Sequence, residues 1–196
     1  MFAGGCYSMK KTYIVGIAGG SSSGKTTFTN KLVNVLSDLD IYVFHMDDYF
    51  KDEEGRPHTP SHITGIVYID DNHPLTMDLP KLAEDIEAAI NINKYDVIIV
   101  EGLLTLQDNK IYSMLNLKLF VDCRADERIV RRLKRNMAWG ESFDEVTGVY
   151  LDMVRFRHDE YVEASKWRAD FIMNGTLESE KALSIIADAV KSACYL

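Results

Sequence analysis

Short apolar runs alternate with longer amphipathic stretches along this chain. Residues 12–18, 41–45, 95–100, 117–122 and 170–173 are dense in aliphatic and aromatic side chains and read as strands. Residues 25–38, 78–92, 125–138, 143–163 and 178–193 repeat their apolar positions every three or four residues, the period of a helix with one buried face. Strands that stay apolar at successive positions must be covered on both faces, and a strand–helix alternation supplies that cover. The pattern predicts an α/β fold: a mainly parallel five-stranded sheet flanked by helices, in a single domain over residues 12–196. Residues 1–11 precede the first periodic segment and are expected to form a flexible tail, within which Met9 would also serve as a start.

One stretch breaks the alternation. Residues 51–74 are polar, hold three of the four prolines and exceed an ordinary connector in length, so a functional excursion is expected there. Composition then narrows the partners. A net charge of −8 opposes general nucleic-acid binding, because a phosphate backbone demands an excess of Lys and Arg. No apolar run approaches the roughly 20 residues of a membrane helix, and the N-terminal segment lacks the apolar core of a secretory signal. Cys6, Cys123 and Cys194 are scattered and follow no metal-ligand spacing, which suits a reduced, cytoplasmic setting.

The sharpest chemical signal follows the first strand. Gly19-Gly20-Ser21-Ser22-Ser23-Gly24-Lys25-Thr26 satisfies G-x-x-x-x-G-K-[ST] and lies between a predicted strand and a predicted helix. Small residues let the backbone curl so that successive N–H groups point at phosphate oxygens, and the helix N-terminus adds partial positive charge. Lys25 would reach the β- and γ-phosphates, and the Thr26 hydroxyl would ligate Mg²⁺. This context predicts a P-loop NTPase fold with ATP and Mg²⁺, GTP remaining open as the donor.

Ligands of open parallel sheets sit at the carboxyl ends of the strands. Two predicted strands run there into acids, one into Asp47-Asp48 and the other into Glu101. Asp47 is assigned as general base for an acceptor hydroxyl, and Glu101 as an outer-shell Mg²⁺ ligand. Positive charge comes from Arg128, Arg131, Arg132 and Arg135, which fall on one helical face. Phosphoryl transfer needs fixed cations around the migrating group, and two or three of these arginines are expected to supply them.

These residues together resemble the phosphoribulokinase/uridine kinase group, and the chain is similar to a uridine kinase over roughly residues 12–175. Ile17–Thr27 resembles the group's P-loop, Thr27 included, and Asp47-Asp48-Tyr49-Phe50 resembles its D-S-F-Y segment, whose first Asp is the catalytic base. His73-Pro74 followed by Asp78 resembles D-H-P-x-x-x-D, Glu101–Leu104 resembles E-G-I-L, and Lys118–Arg135 resembles the KLFVD–arginine block. Ala169-Asp170 resembles the start of the group's last core strand. The resemblance implies a kinase with a helical lid over roughly 125–145, in which Arg132 and Arg135 join Lys25 and Asp47 as catalytic groups. It also implies that Asp47, Tyr49, Asn72 and His73 contact a small-molecule acceptor, and that the chain self-associates as a homo-oligomer.

The departures concern the acceptor. Asn72 stands where the family has a ribose-contacting Asp, Trp139-Gly140-Glu141 replaces an R-G-R triplet, and Leu103–Gln107 lacks the aromatic and histidine that contact the pyrimidine. Uridine or cytidine leads as acceptor, with nicotinamide riboside, a sugar phosphate or pantothenate as alternatives. Two further readings remain: a non-catalytic nucleotide-binding module, and a GTPase switch carrying D-x-x-G at Asp52–Gly55 and N-K-x-D at Asn93–Asp96.

Overall fold

The computed structural model describes residues 11–195, so Cys6 and most of the expected tail lie outside the described residues. Among the described residues seven strands run in chain order as β1 (Tyr13–Gly19), β2 (Ile41–His45), β3 (His58–Pro60), β4 (Val67–Ile69), β5 (Val97–Gly102), β6 (Leu117–Asp122) and β7 (Phe171–Asn174). Five of them form one sheet in the order β2-β5-β1-β6-β7, and every pairing in it is parallel. The helices are α1 (Lys25–Val35), α2 (Leu79–Ile92), α3 (Asn109–Met114), α4 (Ala125–Ala138), α5 (Phe143–Val149), the short α6 (Arg155–Arg157) and α7 (Glu180–Cys194).

Strand periodicity explains the continuous apolar runs. Ile14, Ile98, Val100 and Phe120 pack with Leu82 and Ile86 of α2 and Ile111 of α3 on one face. Val15, Ile17, Ile99, Leu119 and Val121 pack with Leu32 of α1 and with Leu183, Ile186 and Val190 of α7 on the other. Neighbours along one strand thus enter different cores, each side chain contributing about 1.5–3 kcal/mol on full burial. Capping marks the helix ends. Asp78 accepts from the Lys81 N–H at 3.0 Å and Asn93 closes α2 with a left-handed φ of 52°. Ser142 and Glu145 form a capping box at the start of α5.

The chain departs from its periodicity in three places. Residues 51–74 hold the antiparallel hairpin β3–β4, whose three-residue strands and Pro60 leave almost no alternation to read. The short α3 falls between two predicted strands. The single helix expected over 143–163 is instead α5, a π-helical turn (Tyr150–Val154), α6, a second π turn (His158–Val162) and a 3₁₀ segment to Arg168. Each widened turn carries a buried polar residue, Asp152 in the first and His158 in the second. Asp152 accepts from Thr64 Oγ1 (2.5 Å) and Tyr68 Oη (3.0 Å), which ties the hairpin to this helix.

Candidate active site

The P-loop curls between the end of β1 and the first turn of α1. Ser22 and Gly24 take left-handed backbone, with φ of 62° and 99°, and Gly24 is the N-cap of α1. Parallel register then sets the strand-end acid: Glu101 lies beside Ile17 of β1 on one side and His45 of β2 on the other. The Glu101 side chain is buried. Its Oε1 accepts from Thr26 Oγ1 at 3.0 Å and lies 3.7 Å from Lys25 Nζ, while its Oε2 is 2.9 Å from His45 Nδ1. Sequence reasoning missed His45; its position at the end of a strand paired with that of Glu101 was the available signal.

One cleft of about 1550 Å³ opens over this corner. Typical single-ligand pockets measure roughly 300–1,000 Å³, so there is room for a nucleotide and a second molecule. Ser21, Ser22, Gly24, Lys25, Thr26 and Thr27 line it, together with Asp47, Asn72, Arg132 and Arg135. Gly19, Gly20 and Ser23 lie behind that lining, Ser23 fully buried. Asp47 stands on a 3₁₀ turn (Met46–Tyr49) directly after β2, is exposed, and makes no hydrogen bond or ion pair with a described residue. A carboxylate free of partners is available to a substrate.

Two residues expected to contact the acceptor are not part of that lining. Tyr49 does not line the cleft; its hydroxyl donates to Asp85 Oδ2 at 3.0 Å, and burial together with that carboxylate pushes its pKa upward. His73 is likewise outside the lining, accepting from the Leu75 N–H at 3.0 Å and meeting the Tyr161 ring edge-on.

The four arginines of α4 divide by role. Arg128 turns inward, its Nε donating to the Cys123 carbonyl at 3.0 Å and its Nη1 3.3 Å from His158 Nδ1. Arg131 pairs with Glu127 and donates to the Gly175 carbonyl at 2.9 Å. Arg135 reaches Ser21 Oγ at 3.3 Å and lies over the Trp139 ring. Arg132 forms no salt bridge among the described residues, and its buried Nε has no hydrogen-bond partner. Burial and the neighbouring Arg135 hold its pKa below the usual arginine range. An unpaired, desolvated guanidinium is costly until an anion arrives, which makes this corner complementary to phosphate.

The site also fits Mg²⁺. Thr26 and Asp47 line the cleft and Glu101 stands behind Thr26 at 3.0 Å, so oxygen donors are present, although no group of three or more His, Cys, Asp or Glu among the described residues could hold a metal alone. Such sparse donation matches Mg²⁺, which takes one or two carboxylates and completes its shell with waters and substrate phosphates.

Part of the departures from the family pattern, Asn72 among them, faces the cleft. Trp139 and Glu141 line the cleft, and Glu141 accepts from Asn136 Nδ2 at 2.9 Å. Leu103 lines it too, whereas Leu104, Thr105 and Leu106 are fully buried. The GTPase-like residues lie outside the cleft lining: Asn93 caps α2, and Asp96 accepts from the Asp40 N–H at 2.9 Å.

Comparison with known proteins agrees with this geometry. Residues 72–180 match the Phosphoribulokinase / Uridine kinase family. The chain is 34% identical over 209 residues to the uridine kinase of Staphylococcus aureus strain JH9, covering 94% of this chain and 98% of that protein. Among solved structures, one described as a possible uridine kinase from Bacillus stearothermophilus aligns with a TM-score of 0.59 at 20% identity, over 84% of this chain and 89% of that one. A sugar kinase from Janibacter sp. HTCC2649 aligns at 0.57 and 16% identity, over 93% and 98%. At such identities the structures show a shared fold. The family match over more than half of the chain, joined to near full-length similarity with the staphylococcal enzyme, makes this chain a member of the phosphoribulokinase/uridine kinase family.

Proposed function

We propose that the chain transfers the γ-phosphoryl group of ATP to a hydroxyl of a small acceptor, with the 5′-hydroxyl of uridine or cytidine as first candidates. The carrying observation is that one cleft is lined by Lys25 and Thr26 of the P-loop, the unpartnered Asp47, and Arg132 and Arg135 of α4. Asp47 takes the acceptor's hydroxyl proton as that oxygen bonds to the γ-phosphorus and ADP departs. Lys25, Arg132 and Arg135 hold fixed positive charge around the migrating group. Mg²⁺ entering with the nucleotide would neutralise phosphate charge, held by Thr26 and through water by Glu101. Phe50, Met77, Leu103, Val146 and Val149 supply apolar walls that exclude water, which favours transfer to the acceptor over hydrolysis.

A second reading changes only the acceptor. Glu141, and Asp71 beside its ion-pair partner Arg56, add carboxylates to the lining. That charge favours a neutral or cationic riboside, such as nicotinamide riboside, over a sugar phosphate or pantothenate. The buried Cys123 thiol, which forms no disulfide, accords with a reducing, cytoplasmic setting, and self-association follows from the family resemblance alone. No helix among the described residues is long and apolar enough to cross a membrane. The test is ADP release from ATP-Mg²⁺ with uridine, cytidine, nicotinamide riboside, pantothenate and ribulose 5-phosphate. Stimulation by a pyrimidine nucleoside supports the first reading, stimulation by nicotinamide riboside alone supports the second, and silence across the panel counts against both.

A further inference from the structure

Beneath the P-loop runs a polar chain, buried at Arg128 and His158 and half-buried at its far end, to which the transfer chemistry assigns no part. A Cβ added at Gly20 would lie 2.8 Å from Arg128 Nη1 and 2.9 Å from His158 Cε1, so the loop rests directly on this pair. Arg128 and His158 are 8% and 9% exposed. Arg128 joins the Cys123 carbonyl to His158 Nδ1. On its other side, His158 Nε2 faces Glu163 Oε2 at 3.5 Å. Glu163 pairs in turn with Lys166, whose Nζ lies 3.4 Å from Asp122 Oδ2. The chain therefore starts and ends at the close of β6, passing through α4, the second π turn and the 3₁₀ segment.

Its position gives it reach. Arg128 lies one turn before Arg131 and Arg132 on α4, so the root of the lid helix is pinned by the group that supports Gly20. A small void lined by Ser21, Asn72, Arg128, Arg132 and His158 joins this support to the acceptor side of the cleft. Buried ionic groups are seldom the most stabilising filling for such a volume, since apolar side chains of similar size often do as well. A role in placement explains their presence better than a role in stability.

We propose that His158 is a positioning residue for phosphoryl transfer: its imidazole, seated between Arg128 and Glu163, holds the Gly20–Ser21 end of the P-loop in register with the lid arginines. This rests on the kinase reading above. The Gly20–Ser21 end adjoins Arg132, Arg135 and Asn72, the side on which the outermost phosphate meets the acceptor. Disturbing His158 should therefore be felt by the γ-phosphate and hardly by the β-phosphate.

The experiment uses the full chain and two variants. His158→Phe keeps a ring and loses both polar contacts, while His158→Asn keeps an acceptor toward Arg128. Calorimetric titration with ATP-Mg²⁺ and ADP-Mg²⁺ gives the ratio of the two affinities, and thermal melts establish that each variant is folded. The Phe variant is expected to lose about tenfold in ATP affinity with ADP affinity within about twofold, and Asn to recover part of the loss. Acceptor-dependent kcat should fall with the ATP affinity. A folded variant with the wild-type affinity ratio overturns the proposal, and if Phe does not fold, the Asn ratio decides. Wild-type protein that turns over no acceptor removes the kinase reading, while the ATP-to-ADP ratio still judges whether His158 holds the loop.

Discussion

Gly102 closes β5 immediately after Glu101, and its lack of a side chain sets the place of Asp47. An added Cβ would lie 2.3 Å from Met46 Cβ, 2.9 Å from its Sδ and 3.0 Å from its Cγ. Met46 is fully buried, and the nearest contact is to its first side-chain carbon, so a rotamer change cannot clear the clash. Ordinary carbon contact is about 3.5 Å, which means that the Met46 backbone must retreat by about 1.2 Å in Gly102→Ala. Asp47 is the next residue and travels with it. Overpacking of this kind costs about 1–3 kcal/mol, which for a chain of this size lowers Tm by roughly 2–4 °C per kcal/mol. A shift of the general base by about 1 Å can cost on the order of 10²-fold in rate. The variant is assayed by ADP release at saturating ATP with the best acceptor of the panel, alongside a calorimetric melt. The KM for ATP should hold, because the P-loop is untouched. A variant with wild-type kcat and Tm would show that the Met46–Tyr49 turn is soft and that the placement of Asp47 does not depend on Gly102.

Asp47→Asn is expected to lower kcat by about 10²–10⁴-fold, with ATP affinity retained and stability within about 0.5 kcal/mol, since the carboxylate has no partner to lose. Full activity in that variant would remove Asp47 as the base. Arg132→Met should lower kcat by about 10²–10³-fold while leaving Tm unchanged or higher, because it removes a desolvated, unpaired cation; a marked fall in Tm would contradict this account of the side chain. His158 supplies a pH dependence: burial first, and then Arg128, lower its pKa from 6.5 to about 4, with Glu163 and Asp159 opposing. Between those values the unfolded chain binds a proton that the folded chain refuses. Stability is therefore complete above about pH 6.5 and declines as the pH falls toward 4, by up to about 3 kcal/mol. Urea midpoints at pH 7 and pH 4.5 check this, and an equal decline in His158→Phe would assign the effect elsewhere.

The sheet was legible because strands buried on both faces leave long aliphatic runs, as in Val97–Val100, and because the P-loop ties one strand to one helix. The meeting of Lys25, Thr26 and Asp47 in one cleft was legible because each follows the carboxyl end of a strand. Arg128 was not. Four arginines on one face look equivalent in the sequence, and only the packing of His158, thirty positions away, decides that the first turns inward. Tyr49 and His73 share that difficulty, since their partners Asp85 and Tyr161 belong to other elements. The π turns were hidden because one extra residue per turn barely disturbs a helical apolar pattern.

The order of strands in the sheet has a consequence for synthesis. β1 carries the P-loop and is made early, yet its hydrogen-bonded neighbours are β5 and β6. As the chain leaves the ribosome, the loop emerges with its strand unpaired and must wait for Val97–Gly102 and then Leu117–Asp122 before a phosphate cradle can exist. Pairing between strands so distant in sequence is slow and leaves apolar edges open meanwhile. A nascent chain halted before β5 would carry the complete nucleotide motif and bind no nucleotide.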